Sequence, residues 1–404
     1  MYDLLKGLRV VEASAFVAGP TCGLYLAQMG AEVIRIDTVG GGPDFRRWPV
    51  DEKGDSLYWE SLNKAKKSVA IDLGRPEGRE LAQRLATAPG DDGGLFVTNF
   101  PVDGFLSYET LRKLRDDLIC VRVMGWADGS QGMDYTINSA LGLPLMTGPQ
   151  GDPRPVNHVL AAWDLLTGAY CAFGLVSALL ARMRGGGGRE IRAPLSDIGA
   201  ATMANLGFTA ETLMTGHQRP RMGNDVFGAF GRDFTTRDGE KLMLLCITPK
   251  QWSKALDTLG IAGQVAEVEA RLGVSFARDE GLRFVHREHL YPLFERAFAA
   301  KTAAELTPAF DAGGVTWGSY QTLEAALDDP RLYKDNPLFE TITHPSGRTY
   351  PAPGAMGTIP QDVRKPVTPA PRLGQHTDEV LSGLLGLSGG EIARLHDAGI
   401  VAGA

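Results

Sequence analysis

Strand and helix signals alternate through the first third of the sequence, and this alternation limits the possible folds more than any other feature. Short β-branched runs such as Leu8–Glu12 and Val33–Ile36 mark strands, and between them Thr21–Met29 has apolar residues at helical spacing. The same order, strand then helix, occurs four times. It predicts an α/β fold with a parallel sheet and helices on both faces.

The loops that leave the predicted strands are the candidate binding segments, because parallel sheets bind ligands beyond the carboxyl ends of their strands. None of these loops contains a GxGxxG or GxxxxGK[ST] motif, so an ordinary dinucleotide or P-loop site is not supported. A nucleotide-containing ligand held by other means remains compatible with them. The four segments are Ala13–Pro20, Asp37–Gly42, Asn99–Gly104 and Met124–Gly129.

Charge and cysteine content limit the partners. Lys plus Arg number 41 against 48 Asp plus Glu, a formal net charge of −7, which offers no overall attraction for nucleic acid or an anionic membrane. We therefore expect neither as a partner. The cysteines lie far apart with no metal-ligand spacing, and the beginning of the chain lacks a signal-peptide pattern, so we expect buried thiols, no metal and a cytoplasmic location. The four cysteines are Cys22, Cys120, Cys171 and Cys246.

The segment Val159–Ala181 contains a single charged residue, Asp164, in 23 residues. Its length approaches that of a membrane span, but the other long segments are amphipathic, and we expect a buried core helix. A charge in such a segment costs several kcal/mol unless it is paired or solvated. Asp164 is therefore either a helix cap, stabilised by about 0.3–1 kcal/mol, or a carboxylate nucleophile at a cavity.

The pattern changes after Gly223. The pair Asp238–Gly239 predicts a hairpin, and Thr248 before Pro249 predicts a helix start. The proline-rich range Pro345–Pro371 predicts an extended connection. We expect a large domain over 1–205, a linker over 206–225, a small domain over 226–328, and a return with C-terminal helices over 329–404.

Six segments together resemble the class III CoA-transferases over nearly the whole chain. This resemblance implies a Rossmann-like large domain built from both termini, a smaller α+β domain, and an interlocked homodimer. It also implies an enzyme that acts on an acyl-CoA thioester and a carboxylic acid, with no cofactor beyond the CoA of the substrate. The segments are GLRVVEASAFVAGP (Gly7–Pro20), GAEVIRID (Gly30–Asp37), NKAKKSVAIDL (Asn63–Leu73), TNFP (Thr98–Pro101), WDLLTGAYCAFGLVSALLAR (Trp163–Arg182) and LGQHTDEVL (Leu373–Leu381).

The resemblance also implies functional residues. Asp164 matches the nucleophile of these transferases. Thr38 and Met124 stand where relatives place basic CoA contacts, so other cations are candidates for the CoA phosphates. The implied CoA contacts are Phe16, Val17, Ala18, Ile71, Asn99, Phe100, Gly125 and Trp126; the further candidates for substrate or CoA binding are Arg46, Arg47, Lys64 and Asp134, the last of which is alternatively a turn residue.

A narrower resemblance is to family members that move CoA between the two carboxyl groups of one dicarboxylate, mesaconate. It implies an intramolecular transfer through a mixed anhydride and a CoA thioester on Asp164. Arg46, Arg47 and Arg232 are candidates to hold the free carboxylate by charge. The segments that carry this resemblance are VVEASAFVAGP, RRWPV, TNFP, NHVLAAWD and GAFGRDF.

Three alternatives stay open. The first is an intermolecular transferase with a separate acceptor acid, and the second is a non-catalytic acyl-CoA binding protein. The third is a racemase, which is disfavoured because Met133 and Thr248 stand where racemases place a His and a Glu. Proton abstraction on both faces of an α-carbon needs such bases.

Overall fold

The computed structural model describes residues 1–404. Its strands are β1 (Arg9–Ala13), β2 (Glu32–Asp37), β3 (Lys66–Ile71), β4 (Leu95–Thr98), β5 (Ile119–Met124), β6 (Arg189–Pro194), β7 (Phe230–Thr235), β8 (Lys241–Cys246), β9 (Trp317–Ser319), β10 (Phe339–Thr343), β11 (Thr349–Pro353) and β12 (Val401–Ala402). Its helices are α1 (Ala18–Gln28), α2 (Leu57–Leu62), α3 (Pro76–Ala86), α4 (Tyr108–Leu111), α5 (Asp134–Ala140), α6 (Leu143–Met146), α7 (Ala162–Met183), α8 (Leu195–Asn205), α9 (Phe208–Thr215), α10 (Pro249–Leu259), α11 (Ala262–Leu272), α12 (Glu280–Val285), α13 (Arg287–Ala299), α14 (Ala303–Gly313), α15 (Leu323–Leu327), α16 (Thr377–Gly383) and α17 (Gly389–Asp397).

The central feature is a seven-stranded sheet in the order β12-β3-β2-β1-β4-β5-β6. All neighbouring strands run parallel except β12, which pairs antiparallel with β3. The predicted α/β fold is confirmed. The edge strand β12 was not predicted, since two residues carry no periodic signal.

Helices pack against both faces of this sheet, as predicted. On one face α1 and α7 pack together, and the absence of a side chain at Gly168 allows their close approach. A Cβ built there would lie 2.7 Å from the carbonyl oxygen of Ala18 and 2.7 Å from Cβ of Thr21. On the other face α3, α16 and α17 cover a core that includes Val11, Ile34, Val69, Phe96, Leu81, Leu381 and Ile392.

The chain divides into two compact units. The first comprises Met1–Leu141, His158–Ala210 and Asp335–Ala404; the second comprises Gly142–Asn157 and Glu211–Lys334. The division differs from the expected domains, which placed the segment Gly142–Asn157 in the large domain. The guanidinium of Arg221 donates to the carbonyl oxygens of Pro144 and Leu145, and these bonds attach the segment to the second unit.

The second unit contains the antiparallel sheet β7-β8-β9 and helices α10–α14. The predicted hairpin joins β7 and β8. Thr248 caps α10 as predicted, in a capping box with Gln251. An aromatic core, including Phe230, Phe234, Trp252, Phe276, Phe294, Phe298 and Phe310, holds these elements together.

The C-terminal return belongs to the first unit. The expectation of an extended connection over Pro345–Pro371 was wrong in part, because β11 pairs with β10 in a hairpin. β11 tolerates its prolines since it has only one neighbouring strand. Further along, Thr377 accepts the Ala70 N–H and donates to the Ala402 carbonyl, so the LGQHTDEVL segment fastens the edge of the sheet.

Helix α7 differs from the expected buried core helix. One face is buried, but apolar side chains at helical spacing form an exposed stripe on the other. By length and composition the helix is apolar enough to cross a membrane, a criterion that core helices of globular proteins also meet. The α7 stripe consists of Leu166, Tyr170, Phe173, Val176, Leu180 and Met183, all 37% exposed or more.

Candidate active site

Asp164 lies in the first turn of α7. Its carboxylate forms no hydrogen bond or ion pair, although the backbone of the same turn is fully engaged. A carboxylate at this end of a helix faces the positive end of the helix dipole. Because its oxygens accept no backbone N–H, Asp164 does not cap α7 by hydrogen bonding, and only the dipole contributes to that interpretation.

Asp134, at the start of α5, caps α7 instead. Its Oδ2 accepts the N–H groups of Trp163 and Asp164 at 2.6 and 3.2 Å, and its Oδ1 lies 2.7 Å from Nε2 of His158. Asp134 is buried, and the indole N–H of Trp163 donates to Asn138 of the same helix. Both carboxylate oxygens are thus occupied, and Asp134 positions the nucleophile candidate.

The surroundings raise the pKa of Asp164 to about 7. Burial is the main cause, because it disfavours the charged carboxylate, and the neighbouring negative charge of Asp134 acts in the same direction. The guanidinium of Arg47 opposes the rise. Asp164 therefore changes its charge near neutral pH.

The guanidinium of Arg47 lies near two aromatic rings. Its guanidinium carbon is 5.7 Å from the centre of the Phe16 ring and 5.5 Å from that of Tyr58. It forms no ion pair, so its charge is available to a ligand. The Tyr58 hydroxyl is buried without a hydrogen-bond partner. Burial raises the pKa of Tyr58 to about 12, and the charge of Asp164 contributes to this rise.

A buried ion network sets the backbone of the first strand exit. Phe16 adopts a left-handed conformation with φ of 69°, and its N–H donates to Asp44 at 3.1 Å. Asp44 pairs with Arg35 at 3.0 Å, and Arg35 also pairs with Glu12 and Asp37. Because these groups are buried, losing one partner leaves an uncompensated charge at a cost of about 3–5 kcal/mol. The network therefore holds Phe16 in place.

A cavity of about 340 Å³ lies at the carboxyl ends of β1, β2 and β4. Phe16, Thr38, Asn99 and Phe100 contribute to its lining. The Asn99 amide is fixed by a reciprocal pair of hydrogen bonds with the backbone of Ala15. Three of the predicted strand exits thus meet here, and with them the predicted residues Phe16, Asn99 and Phe100.

The remaining predicted CoA contacts are distributed around the sheet. Val17 and Ala18 lie at the start of α1, and Ile71 is fully buried at the end of β3. Gly125 and Trp126 follow β5, where the backbone of Gly132 comes so close that a Cβ on Gly125 would lie 2.3 Å from its nitrogen. None of these five residues lines the 340 Å³ cavity.

The basic candidates separate in the structure. Arg46 lines a different cavity from Phe16. Lys64 is buried, its ammonium donates to the Ser61 carbonyl, and burial together with Lys66 lowers the pKa of Lys64 to about 8. Arg232 belongs to the second unit, where it pairs with Asp225. Of the three candidates for a substrate carboxylate, only Arg47 acts electrostatically on Asp164.

Four residues of the site escaped sequence analysis. Tyr58 stands in a segment without a motif of its own. His158 belongs to the NHVLAAWD segment, but its contact with Asp134 depends on the fold. For Arg35 a signal was available, since a charge inside the apolar strand VIRI requires a buried partner, but it does not identify that partner as Asp44.

The profile of CoA-transferase family III matches residues 5–377. The chain belongs to this family, as predicted, and acyl-CoA and carboxylate substrates fit it. A 2-methylfumaryl-CoA isomerase of Chloroflexus aurantiacus is 47% identical over 405 residues, covering 100% of this chain and 99% of the relative. A succinate–glutarate CoA-transferase of Agrobacterium fabrum is 28% identical over 94% of this chain and 95% of its own length.

Solved structures of similar proteins have the same fold as this chain. A CAIB/BAIF family protein from Brucella suis superimposes with a TM-score of 0.77 at 26% identity, covering 95% of this chain and 100% of that protein. The orthorhombic crystal form of Rv3272 from Mycobacterium tuberculosis gives a TM-score of 0.73 at 24% identity, covering 92% of this chain and 97% of that protein, and supports the fold.

Proposed function

We propose that the protein is a 2-methylfumaryl-CoA isomerase, which moves CoA between the two carboxyl groups of one mesaconate. The single observation that carries the proposal is the uncommitted carboxylate of Asp164, half-buried and beside the free cation of Arg47. The full-length similarity to an isomerase of that name supports the choice of substrate.

In the proposed first step an Asp164 oxygen attacks the thioester carbonyl of mesaconyl-CoA. The carbon–sulfur bond breaks, CoA thiolate leaves, and a mixed anhydride remains. The thiolate then attacks the Asp164 carbonyl, which releases mesaconate and leaves an aspartyl-CoA thioester. The other carboxylate of the same mesaconate attacks this thioester, and the reverse steps complete the transfer.

Arg47 is proposed to hold the free carboxylate of mesaconate. A guanidinium can bind a carboxylate through two parallel hydrogen bonds. The rings of Phe16 and Tyr58 restrict the side chain, so less freedom is lost when a ligand binds. Tight retention matters here, because an intramolecular transfer fails if mesaconate escapes before CoA returns.

The 340 Å³ cavity is proposed to take the nucleotide part of CoA. It lies beyond the strand ends, and its lining combines Phe16 and Phe100 with the fixed amide of Asn99. Such a surface offers ring contacts and directed polar groups. We propose no cofactor beyond CoA, because one thioester is exchanged for another; dialysis against EDTA should leave turnover unchanged.

Hydroxylamine trapping tests the nucleophile. After reaction with mesaconyl-CoA, hydroxylamine should convert Asp164 to its hydroxamate, detectable by mass spectrometry of the peptide. Asp164→Asn should reduce turnover by at least about 1,000-fold and keep CoA binding. Asp197→Asn, in the exposed first turn of α8, is the matched control and should retain activity. Hydroxamate on another residue would refute the proposal.

An intermolecular CoA-transferase is the second candidate, since relatives such as the succinate–glutarate enzyme carry that name. Labelled free mesaconate distinguishes the two. An isomerase that retains its acid should leave the label outside the CoA ester pool. Incorporation of label at the rate of turnover would replace isomerisation by transfer to a separate acceptor.

We propose that a second copy of the chain covers the α7 stripe. The six side chains span the whole length of the helix and are too apolar to remain in water without cost. The interlocked arrangement expected from the family resemblance would supply that cover.

A cytoplasmic location is also proposed. All four cysteines are free and buried, which fits a reducing compartment. Fractionation of cells of the source organism should recover the protein with the cytosolic enzymes, and recovery with secreted proteins would contradict the proposal.

A further inference from the structure

A second cavity lies in the first unit, between the loop before α2 and the C-terminal return. Its volume is about 510 Å³, and its lining includes Phe45, Arg46, Ser56, Trp59 and Arg372. It shares no lining residue with the 340 Å³ cavity proposed for CoA. We call it the return cavity.

Three cations without an ion pair line the return cavity. They are Arg46, Lys53 and Arg372, and none of their side chains forms a hydrogen bond or an ion pair. They come from two chain segments that are more than three hundred residues apart in sequence. Like charges brought together repel one another, so an anion held between these three groups would relieve the repulsion.

The acidic residues of the lining neutralise this charge only in part. Glu60 accepts the Ser346 N–H at 2.6 Å on one oxygen, and the hydroxyls of Ser346 and Tyr350, both at 3.1 Å, on the other. Asp55 is the other acidic lining residue. The lining therefore carries three cations and two carboxylates, a net charge of +1, and none of the cations is paired with either carboxylate.

We infer that the return cavity binds a small dianion of the dicarboxylate or phosphate class, at a site separate from Asp164. Two guanidinium groups can each bind a planar carboxylate or a phosphate edge through paired N–H donors, and the lysine adds a point charge. The volume accommodates an acid of five carbons together with water.

Two neighbouring arginines connect this site to the candidate active site. Arg46 lines the return cavity, whereas Arg47 lies against Phe16 and Tyr58. Ser56, in the cavity lining, donates its hydroxyl to the Arg47 carbonyl at 2.5 Å and caps α2 by accepting the Trp59 N–H. An anion in the cavity therefore restrains the loop that presents Arg47, and its binding changes the KM for the acyl-CoA.

Binding is measured by calorimetry on the full-length chain, with inorganic phosphate and with mesaconate as separate probes. The measurements use an Arg47→Gln background, so that this guanidinium contributes no carboxylate binding. The double variant Lys53→Gln/Arg372→Gln should bind one or both anions at least tenfold more weakly. Loss for phosphate alone identifies a phosphate site, and loss for mesaconate alone identifies a dicarboxylate site.

The matched control is Lys6→Gln/Arg184→Gln, which removes two exposed cations outside the cavity and gives the same net charge. It should bind both anions within twofold of the background protein. Equal affinities in the two double variants, or no detectable binding of either anion, would overturn the inference.

Kinetic measurements distinguish anion binding in the return cavity from the proposed reaction at Asp164. With Arg47 intact, Lys53→Gln/Arg372→Gln should retain its turnover in buffer free of both anions, and its KM should no longer respond to the anion that binds. A KM response equal to that of the unmodified chain would contradict the coupling. If the unmodified protein did not isomerise the acyl-CoA, the proposed function and the role of Asp164 would fail, whereas the calorimetric test of the return cavity would be unaffected.

Discussion

The carboxyl group of Asp164 has a pKa near neutrality, whereas its proposed role as a nucleophile requires the ionised form. Because its pKa is about 7, kcat/KM should fall as the pH decreases below 7, and a pH–rate profile measures this. The control Asp197→Asn should show the same acid limb. An acid limb near pH 4 would contradict the assignment.

The same shift makes a prediction for stability. The folded state binds the Asp164 proton more tightly than the unfolded chain, so the free energy of unfolding decreases as the pH rises from about 4 to 7. Asp164→Asn removes this penalty and should stabilise the protein at pH 8 by about 1–2 kcal/mol, allowing for partial solvent screening. Urea unfolding at pH 8 and pH 4 checks it. A gain of equal size at both values would refute this cause.

Asp134 provides an independent test of the local electrostatics. In Asp134→Asn the amide oxygen can still accept the Trp163 and Asp164 N–H groups, whereas the negative charge is lost. The acid limb of kcat/KM should therefore move down by about one pH unit. An unchanged limb in a folded variant would show that Asp134 acts only as a cap.

At the scale of elements, the packing of α1 on α7 depends on Gly168. Gly168→Ala places a Cβ against backbone, so it should lower the free energy of unfolding by about 1–3 kcal/mol. Gly174→Ala on the same helix meets only Ile191, at 3.5 Å, and should be neutral or stabilising by up to about 1 kcal/mol. Denaturant titration compares them; equal effects would contradict close packing as the cause.

The predictable elements are those whose signal is local. The strands β1 and β2 follow from β-branched runs, and the Thr248 cap follows from residue types at fixed spacing. The strand β12 forms only because β3 offers an open edge, and the α7 stripe has the composition of a core helix. Local patterns contain no information about which neighbour covers an apolar face.

The same limit on prediction from local sequence applies to the candidate active site. Asp164 was predictable because it is the only charge in its segment and matches a family motif. The cap by Asp134 joins residues 30 positions apart, and the contact of Arg47 with Tyr58 joins a loop to helix α2; in both cases only the fold brings the side chains together. Lys64 was expected near phosphates, but it is buried and lines neither cavity.

For the whole molecule, a second copy over the α7 stripe predicts the assembly state. Sedimentation should give twice the chain mass of 43.4 kDa. Phe173→Glu introduces a charge at the middle of the stripe and should yield monomer or aggregate. Leu114→Glu, at another exposed apolar position of the first unit, should leave the mass unchanged. A monomeric unmodified chain would contradict the proposal.

Helix α7 carries Asp164 in its first turn and continues as the exposed stripe. Any rotation or shift of this rod on α1 moves the carboxylate together with the surface that a second copy would cover. Turnover per chain should accordingly drop when the enzyme is diluted below the dissociation constant of the dimer, and CoA thioesters should slow subunit exchange. The reacting group and the quaternary contact share one rigid support.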